Sequence, residues 1–209
     1  MKQLLTGMLC AFFLSGCGID YDGATKLVFE GRVTGADGQP LQGVKVSTQI
    51  SNSTDMDIIS YDFTDSNGRY LMIFPKPDEK VNIEVIVNSS VDENTLSRTG
   101  IFNIGLGQFE DFKIDFGTSA LYETENSVTL HINFPNGIQP LKIGLTGLVA
   151  NNLVDYNFNE APEDGVTWPD NDILVAPDQV ITLKYMLSNG SVLETEIPIG
   201  DTDVTFNVE

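Results

Sequence analysis

Beyond residue 26, apolar and polar positions alternate with period two over almost the whole chain. Leu27, Phe29, Gly31 and Val33 interleave with Val28, Glu30 and Arg32. Val44 and Val46 follow, then the stretches Ile59 to Phe63 and Tyr70 to Phe74. Val81, Ile83, Val85 and Val87 make an apolar face opposite Asn82, Glu84 and Asn88, and Phe112, Ile114 and Phe116 make another opposite Lys113 and Asp115. Further along come Val128 to Phe134, Leu141 to Leu145, Ile181 to Leu187, the pair Ile197 and Ile199, and finally Val204, Phe206 and Val208. Clusters of Gly, Asn, Asp and Pro end each run, and no apolar stripe recurs at helical spacing. The pattern predicts an all-β chain.

Residues 117–124 (Gly-Thr-Ser-Ala-Leu-Tyr-Glu-Thr) interrupt the alternation and read as a junction between two tandem β-sandwiches, 26–116 and 125–209. In the second, Asn189-Gly190 between two alternating runs is a strong hairpin signal. An immunoglobulin-like sandwich is expected there. A unit of about 85 residues buries only roughly 60–65% of its unfolded surface, so docking against the first sandwich should help it fold. The two halves show no internal repeat.

Three motifs mark the first unit, in order. They are Gly31-Arg32-Val33, then Asp37-Gly38-Gln39-Pro40-Leu41-Gln42-Gly43-Val44-Lys45-Val46, then Thr64-Asp65-Ser66-Asn67-Gly68-Arg69-Tyr70. Asp37-Gly38 supplies a turn whose glycine takes positive φ, Pro40 stiffens its exit, and Asp65 to Gly68 makes a second tight turn. Together they resemble the carboxypeptidase regulatory-like domain. The resemblance implies a seven-stranded sandwich of transthyretin-like topology with no catalytic activity of its own, a module for structure or interaction. Ser51 to Asp57 departs from the family spacing and lengthens one hairpin.

The N-terminus carries one positive residue, Lys2, then a mostly apolar run from Leu4 to Leu14 that is too short to span a bilayer comfortably. Residues 1–16 therefore read as a signal peptide. Leu14-Ser15-Gly16-Cys17 resembles the lipobox of bacterial lipoproteins, which implies cleavage before Cys17 and acylation of its thiol. Several acyl chains, at about 0.8 kcal/mol per buried methylene, make a durable anchor. Residues 17–25 then form a lipidated tether; the eight after the cysteine would reach roughly 26–29 Å if fully extended. Gly18 is not an acidic inner-membrane retention residue, so outer-membrane, lipid-anchored placement is expected, and Asp20 and Asp22 allow export to the cell surface.

Charge narrows the partners. With 30 acidic against 11 basic residues the chain carries −19, and loss of Lys2 on cleavage makes it more acidic still. Phosphate backbones are repelled, so nucleic acid is not a partner. Cys10 leaves with the signal peptide and Cys17 is acylated, so no disulfide is expected.

Candidate chemistry is sparse. His131 is the single histidine and lies on a polar strand face, which rules out a Ser-His-Asp constellation and leaves zinc without its usual ligands. Asp20-Tyr21-Asp22-Gly23, Asp62 with Asp65 and Asn67, and Glu160 to Asp172 offer calcium-type oxygen ligands, yet none has the full alternating acidic loop and turn chemistry accounts for them. No metal or cofactor is expected. The segment from Asn151 to Pro177 holds Tyr156, Phe158 and the single tryptophan, Trp168, and an exposed aromatic loop there could stack on a sugar or grip a partner. The function expected is a non-catalytic docking module in the envelope, held to the bilayer by Cys17, with an envelope protein as partner and a nutrient-uptake receptor as neighbour. Glycan binding through Tyr156, Phe158 and Trp168 is the alternative, and a calcium-dependent or acid-pair hydrolase the third reading.

Overall fold

The computed structural model describes residues 19–52, 55–78, 80–90, 95–135, 140–160 and 172–208. Cys17 and Trp168 lie outside them. Among the described residues, fourteen strands and two short 3-10 turns make up the regular structure, as the period-two pattern predicts. No helix among the described residues is long and apolar enough to cross a membrane.

Seven strands build the first sandwich: β1 (Tyr21–Gly35), β2 (Lys45–Ser51), β3 (Met56–Phe63), β4 (Arg69–Pro77), β5 (Asn82–Val87), β6 (Arg98–Ile104) and β7 (Lys113–Leu121). One sheet has the order β4-β1-β7, with β7 parallel to β1; the facing sheet runs β6-β5-β2-β3. Phe29, Val46, Ile50, Phe74, Ile83 and Val85 meet between them, each almost fully buried. Phe29 is the hub. Its ring lies 4.8 Å from Phe74, 5.3 Å from Phe109 and 5.0 Å from Phe116.

The second half adds β8 (Val128–Asn133), β9 (Lys142–Thr146), β10 (Asn151–Asp155), β11 (Asp172–Val175), β12 (Gln179–Met186), β13 (Val192–Ile199) and β14 (Val204–Asn207). Two three-stranded sheets, β11-β8-β14 and β13-β12-β9, close over Leu130, Val175, Ile181, Leu183 and Ile197. The hairpin expected at Asn189-Gly190 joins β12 to β13, with Gly190 at φ +82°.

The three sequence motifs of the first sandwich interlock. The Asp65 side chain accepts the N–H groups of Asn67 (2.8 Å) and Arg69 (2.9 Å), which closes the turn before β4. These bonds, that from Arg69 first, hold its carboxyl below the ordinary value. Gly68 then lies against the Val33 carbonyl, Pro40 and Leu41, while Thr64 Oγ1 donates to the Leu41 carbonyl and accepts the Val44 N–H. A β-carbon on Gly68 would collide with the Val33 oxygen, at a φ of +74° that already disfavours side chains. Gly68→Ala should cost about 3 kcal/mol, read as a lowered urea midpoint at unchanged slope.

Three segments differ from the sequence expectation. Residues 18–25 were expected to be linker, but Ile19 is buried in the first core, Asp78 N–H bonds the Asp20 carbonyl, and β1 begins at Tyr21. The polar spacing there belongs to a bulge, in which Asp22 accepts from Ala24 N–H and the Thr25 hydroxyl. Residues 117–124 were expected to be junction, but β7 runs through them to Leu121 and pairs with β1 as far as Gly35. Phe112 was placed with Ile114 and Phe116, yet it is 60% exposed. The two-residue turn Asp111-Phe112, both at positive φ, swings it out of the strand alternation.

Candidate functional site

The two cores are joined by a strand that changes side. From the second half, β10 pairs in parallel with β6, Asn151 opposite Arg98 through Asp155 opposite Phe102, and so becomes the edge of the first sandwich's larger sheet. Val154 packs on the first core. Just before it, Leu148 and Ala150 bond to Ala176 and Leu174 across β11, and Tyr122 packs with Ala150 and Ala176 beneath them. Backbone ladders therefore weld the halves together.

At the end of β10 a buried ion pair locks the weld. Lys142 Nζ lies 2.6 Å from Asp155 Oδ2, with only 10% and 7% of the two side chains exposed. Lys142 also donates to the Asn157 carbonyl at 3.2 Å, and Asp155 Oδ1 accepts from Asn103 Nδ2 and Asn157 N–H, each at 2.9 Å. Lone pairs and ammonium protons are thus used within a network joining β6, β9 and β10. Such a pair tolerates burial only when its hydrogen-bonding capacity is met this fully.

Two aromatic residues singled out in the sequence flank that network. Phe158 is 9% exposed and lies over Gly144, where a β-carbon would stand only 3.1 Å from the ring. Lys142 Nζ and Lys184 Nζ sit 5.9 and 4.9 Å from its centroid. The ring is thus packed into the fold with two ammonium groups within cation–π reach. Tyr156 is 37% exposed and packs edge-on to Phe116 at 5.6 Å, extending the Phe74–Phe29–Phe116 series toward the second half. The expected exposed loop from Asn151 to Pro177 consists in part of β10 and β11. Ordinary alternation hides this, because Lys142 and Asp155 read as solvent-facing residues until the turn 156–160 is folded over them.

Turn chemistry also occupies the other polar candidates. Asp62 accepts the N–H groups of Phe63 and Leu71 and so ties β3 to β4 across the seam between the sheets. His131 Nδ1 pairs with Asp172 Oδ1 at 2.7 Å on an open face. Among the described residues, no group of three or more acidic, His or Cys side chains is placed to hold a metal ion.

No protein-family model matches the chain, and no curated protein matches it by sequence. Among solved structures it overlaps an Asp-to-Asn point mutant of the shaft pilin SpaA from Lactobacillus rhamnosus GG at 12% identity and a TM-score of 0.34, covering 88% of this chain and 99% of that one. The tip fimbrial protein Mfa3 from Porphyromonas gingivalis gives 11% identity and a TM-score of 0.29 over 83% and 82%. A 9R-lipoxygenase from Cyanothece PCC8801 gives 16% and 0.31 over 54% of this chain, which spans only 19% of that enzyme. Scores this low do not extend to function.

Proposed function

We propose that the chain is a non-catalytic lipoprotein of the bacterial envelope, anchored on the outer membrane through acylated Cys17 and docking an envelope protein, with a nutrient-uptake receptor as the candidate neighbour. The observation that carries the docking role is a strip of exposed apolar side chains along β3 and β4, which run side by side at the sheet seam. Met56, Ile58, Tyr61, Phe63, Leu71 and Ile73 are each 49–67% exposed. Scattered exposed apolar residues are ordinary, but a continuous strip on a strongly acidic protein marks an interaction surface. The welded joint supports a rigid module whose strip keeps a fixed orientation to its tether.

Two measurements test the reading separately. Mass spectrometry of the purified protein should find Cys17 as the N-terminal residue bearing acyl chains; an unmodified thiol in a secreted chain removes the anchor. Co-purification from detergent-solubilised envelopes should recover a stoichiometric partner, and Ile58→Lys with Ile73→Lys should reduce its recovery at least tenfold while leaving the urea midpoint unchanged. Equal recovery by wild type and variant removes the docking face.

A further inference from the structure

The chain enters the fold almost at once after position 17. Ile19 is 6% exposed in the first core, the Asp20 carbonyl accepts the Asp78 N–H at 3.0 Å, and Tyr21 pairs with Pro77. Only Gly18 separates Cys17 from Ile19. Two residue steps span about 7 Å when fully extended, against the roughly 26–29 Å of a free eight-residue linker. A lipid anchor on Cys17 therefore holds the first sandwich against the headgroups, with no spacer between.

Strand pairing fixes which end meets the lipid. β1 begins there, β4 ends there at Pro77, and β5 begins there with Asn82 opposite Ser51, where β2 turns back into β3. β7, the neighbour of β1, also starts at this end, after the turn that carries Phe112. The Phe112 carbonyl accepts the Val28 N–H at 2.9 Å, and Val28 lies opposite Ile73. Ile73 is four residues along β4 from Pro77, so the turn stands within about 13 Å of the tether point along the strands. Phe112 is 60% exposed, and both it (φ +64°) and Asp111 (φ +48°) occupy the left-handed region. A bulky residue rarely sits there, and a two-residue turn of this kind favours Asn-Gly. Packing does not demand the ring, because Phe109 of the same loop already fills the core, stacked 5.3 Å from Phe29. The fold thus bears strain to hold an apolar ring in the open beside its anchor, and such strain gathers where something is gripped. Among the described residues, the loops at this end carry Asp20, Asp55, Asp78, Glu110 and Asp111 against Lys80. Anionic lipid is repelled by that balance, and a zwitterionic surface is not.

We propose that the first sandwich stands directly on the bilayer, with the Phe112 ring seated among zwitterionic headgroups as a second, non-covalent contact beside Cys17. This rests on the anchor in the proposed function, so the test supplies the anchor chemically. The mature chain, residues 17–209, has Cys17 as its single thiol, which couples to a maleimide phospholipid in phosphatidylcholine vesicles that contain brominated lipid. In a Trp168→Phe background, the tryptophan of Phe112→Trp should lose about half its emission to the bromines, since an interfacial ring reaches roughly 5–10 Å into the headgroup and acyl boundary. The tryptophan of Gln42→Trp, in the exposed loop between β1 and β2 at the opposite end, should keep its emission. Equal quenching of the two, or quenching of neither, overturns the proposal. Failure of the anchor itself reads differently: Cys17 is then unmodified in the native protein, and the chemically coupled chain behaves as before. In solution, Phe112→Asn should raise the urea midpoint, because asparagine tolerates the left-handed conformation. A lowered midpoint would make the ring part of the packing and would also overturn the proposal.

Discussion

Lys142→Met should destabilise the protein by about 3–5 kcal/mol, because it strands the Asp155 carboxylate in a site where only 7% of that side chain is exposed. The remaining bonds from Asn103 and Asn157 do not neutralise the charge. Asp155→Leu should cost a similar amount by stranding the ammonium. The double variant should recover much of either loss, since an apolar pair of similar volume fills the site without a buried charge. A double-mutant cycle from urea unfolding measures the coupling. If the two single losses simply add, the pair is not energetically coupled and the lock is wrong. Calorimetry sharpens the result: in the single variants the halves should unfold as separate transitions, because β10 belongs by sequence to one half and by pairing to the other.

Phe29→Ala should also cost about 3–5 kcal/mol through lost burial and the cavity left behind. Phe29 is fully buried, and three rings, Phe74, Phe109 and Phe116, lean on it within 5.3 Å. They come from different elements, so no single shift can close the space. Phe29→Leu keeps more of the volume and should lose roughly half as much. The urea midpoint checks both. A loss under 1 kcal/mol for the alanine variant would mean that the rings do collapse inward and that the aromatic series to Tyr156 is not a rigid strut.

Sequence reading succeeded where the physics is local. Asp65 to Gly68 was legible as a turn because an Asx side chain and a glycine suffice to make one, whatever surrounds them. Leu130, Ile181 and Leu183 were legible as core because alternation alone puts them on one face. It failed at Phe112, where a two-residue turn reverses the face, and at residues 18–25, where a bulge mimics the composition of a linker. Phe158 and Tyr156 looked available because aromatic residues amid polar ones suggest a loop. Phe158 is buried over Gly144, which is distant in the chain, whereas Tyr156 stays 37% exposed while packing on the equally distant Phe116.

By itself the sequence determined the strand content, the turns, the acidity and the composition of two cores, because each depends on residues within a few positions of one another. Only the tertiary structure decided that β10 crosses into the first sandwich, that Lys142 meets Asp155, and that Phe158 lies buried over Gly144. Those features depend on which strands become neighbours, and pairing between distant strands follows from the closure of both cores together rather than from any local pattern.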